Sequence, residues 1–180
     1  LDTRPATSTA IGKVGQAMRF YTTSKDRVET NLASSNFITA SDGTISLWIK
    51  PTSTCMSSGG SSNAYDTNAM IGDDFNAITG YFGIYCGDYI PFSGQKIIAY
   101  NYDNNVDILK TTYTVGEWVY ITWVHTGGTL YLYKNGVLVG STASGDTGNL
   151  TGEFLLGKTK QSGSGEVGRF DGEIDDVRIY

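Results

Sequence analysis

Carboxyl groups near the C-terminal end of the chain are the side chains whose spacing could do chemistry. Residues 170–180 read as a strand, but its apolar residues fit one face only if a β-bulge at Asp175-Asp176 restores the alternation. Glu173, Asp175 and Arg178 then share the outer face. Carboxylates placed in this way can hold a cation, bond to a sugar, or act as the acid and base of a glycosidase. The apolar residues left for the core are Ile174, Val177 and Ile179.

Cysteine and histidine are too scarce for a structural zinc site. The sequence holds two cysteines, Cys55 and Cys86, and one histidine, His125, at spacings unlike those of zinc-binding domains. A Cys55–Cys86 disulfide is predicted instead, which implies an oxidising compartment; the alternative is that both are small buried residues of a reduced protein. The chain contains no Gly-x-Ser-x-Gly motif whose serine His125 could activate, so a structural role is expected for this histidine.

The composition restricts the class of protein. The 180 residues suit one domain, residues 1–180, that is large enough to bury a core. With 13 basic and 18 acidic residues the net charge is −5, so the chain lacks the positive surface that nucleic acids and anionic membranes select. No apolar run approaches the roughly 18 residues of a membrane helix, so membrane insertion is not expected.

Period-two alternation of apolar residues, bounded by Gly, Asn, Asp and Ser, predicts an all-β chain. Asn135-Gly136 predicts a type I′ hairpin turn, since both residues tolerate a positive φ. About a dozen short strands without helices predict an antiparallel two-sheet β-sandwich or jelly roll. Two Gly- and Ser-rich tracts, 51–68 and 157–168, are predicted as loops. The clearest predicted strands are 44–50, 80–86, 95–102, 117–125, 129–134, 137–142, 153–156 and 169–180, and weaker ones precede them at 17–20 and 27–30.

Aromatic side chains are expected on the outer faces of several strands. In residues 44–50 the aliphatic side chains alternate with Trp48, and the same reasoning places Tyr85, Tyr131 and Tyr133 outward. Exposed aromatic rings suit carbohydrate, because the apolar face of a sugar ring packs on them. The alternative is that these rings stabilise the sheet through cross-strand pairs, without a ligand. The predicted ligand-binding residues are Trp48, Tyr85, Tyr131, Tyr133 and Glu173.

Six short motifs follow one another along nearly the whole chain. They are 15–20 (GQAMRF), 45–51 (ISLWIKP), 118–124 (WVYITWV), 130–136 (LYLYKNG), 155–157 (LLG) and 170–180 (FDGEIDDVRIY). In this order they resemble the laminin G-like jelly-roll domains of the concanavalin A-like lectin/glucanase superfamily, which also contains pentraxins. The resemblance implies a concanavalin A-like jelly roll and a binding module for glycans, proteins or cell surfaces, often calcium-dependent and attached to a secreted or surface protein.

The resemblance also raises the question of catalysis, since the superfamily includes laminarinase-like glycosidases. Their strand carries a Glu, an Asp two residues later and a second Glu three residues beyond, whereas this chain has Glu173, Asp175 and Arg178. A retaining glycosidase needs two carboxyl groups about 5 to 5.5 Å apart, and arginine cannot serve as acid/base because it does not lose its proton. The chain is therefore expected to be non-catalytic, with Arg178 paired to Glu173 or Asp175.

Calcium is the metal ion that the resemblance implies. The predicted ligands are Asp176 and Asp26, which precedes an early strand at a position where relatives often have an acidic residue; Asp73-Asp74 is a second candidate pair. Oxygen ligands from loops suit this hard cation. The alternative is that these aspartates cap the backbone of their own turns.

The sequence therefore predicts a non-catalytic extracellular recognition module that binds a glycan or cell-surface polysaccharide, with calcium as a candidate structural ion. The alternative is a structural or adhesion domain of a cell-surface or viral particle protein, whose partner is another protein. The size of the protein in solution discriminates between them, because self-assembly favours the structural role.

Overall fold

The structure is a computed structural model, and it describes residues 7–21, 26–33, 42–53, 68–73, 82–86, 96–103, 105–144, 153–161 and 165–180. Within these ranges every regular element is a β-strand, as predicted. The strands form two large sheets and a separate two-stranded sheet. The same ranges contain no helix with the length and apolar character needed to cross a membrane.

Seven strands form the first sheet. In spatial order they are β1 (Thr7–Ile11), β2 (Gln16–Phe20), β15 (Gly172–Ile179), β4 (Gly43–Pro51), β9 (Val119–Thr126), β10 (Thr129–Lys134) and β11 (Val137–Ala143). The second sheet runs β3 (Val28–Ala33), β12 (Glu153–Leu156), β5 (Asn68–Asp73), β6 (Phe82–Cys86), β7 (Lys96–Asp103) and β8 (Asn105–Thr112). The small sheet consists of β13 (Lys158–Gln161) and β14 (Gly165–Arg169). Neighbouring strands are antiparallel.

Each strand predicted from the sequence corresponds to a strand of the structure. The prediction of a loop over 157–168 is wrong, because most of that tract forms the β13–β14 hairpin. Its Gly, Ser and Lys residues give no apolar alternation by which a strand could be recognised. The other predicted loop, 51–68, lies largely outside the described residues. Strands that the sequence analysis did not identify are β1, β5, β8, β13 and β14.

The core lies between the two large sheets. Trp123 on β9 packs on Phe82 of β6 with ring centroids 5.4 Å apart, and Phe82 also stacks on Phe154 of β12 at 6.2 Å. Burial of each large apolar side chain contributes about 1.5–3 kcal/mol, so these contacts decide which face of each strand points inward. The inward residues of β4, β9 and β10 in the core cluster are Ile45, Leu47, Ile49, Val119, Ile121, Trp123, Leu130 and Leu132.

Strand β15 contains the predicted bulge. Asp175 lies opposite Trp48 and Arg178 opposite Ser46, so three residue steps on β15 match two on β4. Asp176 lies within this irregularity and has a φ of 47°, in the left-handed region. The extra residue restores the alternation, and the polar residues of β15 on either side of it share the outer face as predicted.

The β10–β11 hairpin has the predicted type of turn. Asn135 and Gly136 have positive φ values of 51° and 80°. The Asn135 side-chain oxygen accepts a hydrogen bond from the Tyr120 N–H at 2.9 Å, and the Asn135 N–H donates to the Tyr120 carbonyl at 2.8 Å. The turn is thereby tied to the beginning of β9.

Asn135→Ala is expected to lower the free energy of unfolding by about 2 kcal/mol, because alanine strains the left-handed backbone and also removes the hydrogen bond to Tyr120. Asn135→Asp keeps the acceptor oxygen and the tolerance of positive φ, so it serves as the matched control with a smaller loss. Urea denaturation of the three proteins measures the difference. Equal stability of Asn135→Ala and the unmodified chain would contradict this account of the turn.

His125 is fully buried on the inner side of β9. Its ring centroid lies 6.1 Å from that of Trp123. In the part of the chain that the structure describes, neither ring nitrogen of His125 nor Nε1 of Trp123 has a hydrogen-bond partner. Because a buried polar group without a partner costs about 1–3 kcal/mol, this corner of the core is less stable than an apolar one of the same shape.

His125→Leu is accordingly expected to leave the free energy of unfolding unchanged or to raise it by about 1 kcal/mol, since an apolar side chain of similar size removes the unpaired nitrogens. Chemical denaturation measures the change. If His125→Leu instead lost more than about 2 kcal/mol, the imidazole would have to be paired, for example with an interior water.

Candidate functional site on the outer sheet face

Aromatic side chains gather on the outer face of the seven-stranded sheet. Trp48 on β4 lies opposite Tyr120 on β9, with ring centroids 5.1 Å apart and planes inclined by 41°. On β10, Tyr133 lies opposite Thr122 of β9. The rings are half-buried, so each keeps part of its surface open to solvent. We call the following set the aromatic half of the face: Trp48, Trp118, Tyr120, Tyr131 and Tyr133.

Two members of the aromatic half, Trp118 and Tyr120, are absent from the predicted site. The sequence does contain a signal for them in the predicted strand 117–125, because Val119, Ile121 and Trp123 alternate with Trp118 and Tyr120, and directing the first set inward directs the second outward. Applying to β9 the reasoning that was applied to β4 identifies both residues. Trp118 lies just before β9, with its ring centroid 5.8 Å from Nζ of Lys50.

Charged residues occupy the neighbouring part of the same face. Lys50 Nζ lies 3.3 Å from Glu173 Oε2, and Arg19 Nη2 lies 2.8 Å from Asp171 Oδ1. Arg19 also donates to Thr52 Oγ1 at 2.7 Å. In the register of the sheet Glu173 of β15 stands between Lys50 of β4 and Arg19 of β2, and it is only 8% exposed. We call Arg19, Lys50, Asp171 and Glu173 the ionic half of the face.

Arg178 does not join the ionic half. Its Nε lies 3.0 Å from Asp176 Oδ1, so the predicted pairing of Arg178 with Glu173 or Asp175 is wrong. The bulge explains the difference, because it inserts Asp176 between the two outward positions and turns its carboxylate toward the guanidinium. The hydrogen bond that Arg178 donates to the Asp176 carboxylate raises the pKa of Arg178 further above its usual range.

Asp175 holds a short segment of backbone against the sheet. Its Oδ2 accepts a hydrogen bond from the Val14 N–H at 2.8 Å, and the carboxylate is 6% exposed. A Cβ at Gly12 would lie 2.3 Å from Asp175 Oδ2, so glycine is required for this close approach. The segment carries Lys13, whose Nζ lies 5.0 Å from the centre of the Trp48 ring. Asp175 thus places a cation over the central tryptophan.

Tyr85 does not belong to this site. It lies on β6 of the other sheet and is 8% exposed, so the prediction that it faces solvent is wrong. The ring lies across two glycines: a Cβ at Gly83 would come within 2.8 Å of its Cε2, and one at Gly72 within 3.5 Å of its hydroxyl. The missing side chains let the tyrosine lie flat and buried. Of the predicted ligand-binding residues, Trp48, Tyr131, Tyr133 and Glu173 do share one face.

The predicted calcium ligands are engaged by protein groups. Asp26 is 4% exposed and accepts the Tyr21 N–H at 2.9 Å, while the carboxylate of Asp176 pairs with Arg178. Among the described residues there is no group of three or more Asp, Glu, His or Cys side chains that could hold a metal ion. Calcium binding by Asp26 and Asp176 therefore stays a prediction. Asp73 ends β5, and its neighbour Asp74 lies outside the described residues.

Cys86 is fully buried at the end of β6 and is disulfide-bonded. The sequence has one other cysteine, Cys55, which lies outside the described residues. The disulfide-bonded state of Cys86 agrees with the predicted Cys55–Cys86 bond, and Cys55 as its partner stays a prediction.

Fold and surface together define a class of protein: an antiparallel β-sandwich with a mixed aromatic and ionic face on one sheet. The chain belongs to the laminin G-like family of the concanavalin A-like lectin/glucanases superfamily, whose family model matches residues 22–180. The resemblance seen in the sequence motifs and the predicted jelly-roll fold are both confirmed. No curated protein matches the chain in sequence.

Several solved structures share the fold. Domain 4 of AbnA, an extracellular arabinanase from Geobacillus stearothermophilus in complex with arabinotriose, is 19% identical, with a TM-score of 0.62 over 95% of this chain and 73% of that one. The sialidase CBM40 of Ruminococcus gnavus, bound to α2,3 sialyllactose, is 17% identical, with a TM-score of 0.54 over 78% and 76%. The receptor binding domain of botulinum neurotoxin type G is 14% identical, with a TM-score of 0.62 over 97% and 41%. These neighbours are binding domains, and at such identities the likeness shows the fold alone.

Lys50→Met is expected to destabilise the chain by about 1–2 kcal/mol, between the values typical of exposed and buried pairs, because it leaves the Glu173 carboxylate without its cation. The double variant Lys50→Met/Glu173→Gln is expected to recover part of this loss, since the amide needs no counter-charge. Urea denaturation measures both. A double variant no more stable than Lys50→Met alone would mean that the two charges do not interact.

Proposed function

We propose that the chain is a non-catalytic extracellular recognition module that binds carbohydrate on the outer face of the seven-stranded sheet. The observation that carries this proposal is the Trp48–Tyr120 ring pair, two residues along β4 from the Lys50–Glu173 ion pair. The rings offer an apolar surface to the C–H groups of a sugar, and the ammonium and carboxylate groups beside them offer a donor and an acceptor to its hydroxyl groups.

The comparisons support a binding role in general terms. Two domains of the same fold were solved with bound sugars, arabinotriose in one and α2,3 sialyllactose in the other. They differ in the sugar they hold, so they do not identify the ligand of this chain. The surface that binds the ligand is inferred here from this chain's own residues.

The absence of catalysis is inferred from the state of the outer carboxylates. Glu173 is paired with Lys50, and Asp175 accepts hydrogen bonds from the Val14 and Asp176 N–H groups, each at 2.8 Å. A glycosidase needs one carboxyl group to give up a proton and another to attack the sugar or activate water. Carboxylates held by cations and backbone N–H groups are better suited to fixing structure and binding hydroxyl groups.

An extracellular location is supported by the disulfide-bonded state of Cys86, because disulfides persist in oxidising environments. The arabinanase that shares the fold is itself described as extracellular. Whether calcium is needed for binding is left to experiment, since the predicted ligands Asp26 and Asp176 already contact the Tyr21 N–H and Arg178.

A protein partner is the second candidate, and the edge strand β11 favours it. Val137, Leu138 and Val139 are 70%, 50% and 40% exposed on the strand that ends the seven-stranded sheet among the described residues. Apolar residues on an open edge can pair with another chain. The receptor binding domain of botulinum neurotoxin type G also has this fold. Sedimentation velocity tests the self-associating form of this alternative, in which the chain forms dimers or larger assemblies.

Trp48→Ala is expected to weaken glycan binding by about tenfold or more, because it removes the ring on which the sugar packs. The unmodified chain is screened on a glycan array in calcium and again with a chelator, and the variant is then titrated with the best ligand. Its melting temperature is expected to change little, since the ring is half-buried and outside the core cluster.

Tyr180→Ala is the control, since Tyr180 is an aromatic residue that is 70% exposed and outside the aromatic half. Loss of binding in Trp48→Ala but not in Tyr180→Ala supports the proposed site. Loss of binding in the chelator would add support for calcium. An array that is blank in both conditions would exclude the carbohydrate function and leave the protein partner.

A further inference from the structure

Apolar side chains on the outer face continue from the centre of the sheet to its edge. Trp48 lies opposite Tyr120, and Tyr133 lies opposite Leu138 of β11. Tyr133 and Tyr120 are diagonal neighbours, because Tyr133 faces Thr122, two residues along β9. Each of the four consecutive strands β4, β9, β10 and β11 thus contributes one member. We call Trp48, Tyr120, Tyr133 and Leu138 the apolar row.

The apolar row crosses the strands and does not follow any one of them. Neighbouring strands are about 4.8 Å apart, so the row extends about 14 Å across the strands, and the diagonal step from Tyr120 to Tyr133 shifts it by two residues along them. One strand spacing is close to the length of one sugar unit in an extended chain. A linear glycan laid across the strands would therefore meet an apolar side chain at successive sugar units.

The two ends of the row differ. Beyond Trp48, on β15, stands Asp175, which is buried and holds the segment that carries Lys13 over the tryptophan ring. At the other end Leu138 is 50% exposed on the edge strand. A ligand chain is therefore closed off at the β15 side, whereas in the part of the chain that the structure describes the β11 end of the row stays exposed. A surface of this shape suits a run of sugars better than a single terminal sugar.

We propose that the outer face binds a run of three to four sugar units of a linear glycan, laid across β4, β9, β10 and β11. The inference rests on the proposed carbohydrate function and specifies the class of ligand. The row combines one apolar contact on each of four neighbouring strands with the donors and acceptors of the ionic half beside Trp48. Affinity should then grow with the length of the ligand until the row is filled.

The first experiment is affinity electrophoresis of the full chain in gels that contain linear arabinan, xylan, mixed-linkage β-glucan or galactomannan. Isothermal titration then compares the mono- to hexasaccharides of whichever polysaccharide slows migration most. We expect affinity to rise by about tenfold or more between one and four sugars and then to level off. Equal affinity for the monosaccharide and the hexasaccharide would overturn the inference. It would also be overturned if none of the four gels slowed the protein while the array showed binding to short terminal sugars such as α2,3 sialyllactose.

Leu138→Ala tests the far end of the row. It is expected to weaken hexasaccharide binding by about fivefold, through the loss of buried methylene groups, and to leave disaccharide binding unchanged. Val137→Ala is the matched control: Val137 lies opposite Lys134, whose partner Ile121 points into the core, so it belongs to the other face of the same strand. Equal effects of the two substitutions would contradict the row.

The failure of this inference can be told apart from the failure of the proposed function. If the array and all four gels are blank, carbohydrate binding itself is excluded. If a glycan binds with the same affinity at every chain length, the carbohydrate function stands and the extended row does not. Both variants alter half-exposed or exposed residues of an edge strand, so their melting curves should match that of the unmodified chain and show that both are folded.

Discussion

The pairing of β4 with β9 is the constraint on which the rest of the structure depends. From Gly43 to Ile49 the two strands pair without a break, so every core residue of one strand meets a core residue of the other. A slip of one residue would turn Leu47 outward and bring Trp48 into the core. The packing of Trp123 on Phe82 prevents such a slip. Since the same register sets the Trp48–Tyr120 pair, the core and the candidate site are specified together.

The bulge in β15 links this register to the charged part of the face. Without an extra residue, the strand could not keep Ile174 and Ile179 on the inner side, opposite Ile49 and Ile45. At this bulge the carboxylate of Asp175 accepts two hydrogen bonds, one from the Asp176 N–H and one from the N–H of Val14, the residue after Lys13. A requirement of the core therefore also determines where a cation meets the central tryptophan.

Much of this arrangement could be predicted from alternation alone, and the exceptions have physical causes. The outward position of Trp48 and the bulge follow from the order of apolar residues. Tyr85 has the same alternation as Trp48, but it is buried because Gly83 leaves room for its ring. Alternation could not reveal this, since the effect of a glycine on a neighbouring side chain depends on packing across the sheet. The partner of Arg178 depends on the backbone conformation of Asp176, which no periodicity reveals. The β13–β14 hairpin is hidden for another reason, since its residues carry no apolar pattern.

The outer face also departs from what stability alone would select. Glu173 is largely buried, so the desolvation cost of its ion pair with Lys50 is barely offset by the Coulomb energy of the pair. Half-buried aromatic rings on a sheet face also contribute less free energy of folding than rings buried in a core. Local choices that stability does not explain are expected where a protein meets its ligand. The aromatic and ionic halves lie side by side and meet at β4, the central strand of the sheet, whose residues Trp48 and Lys50 belong one to each half.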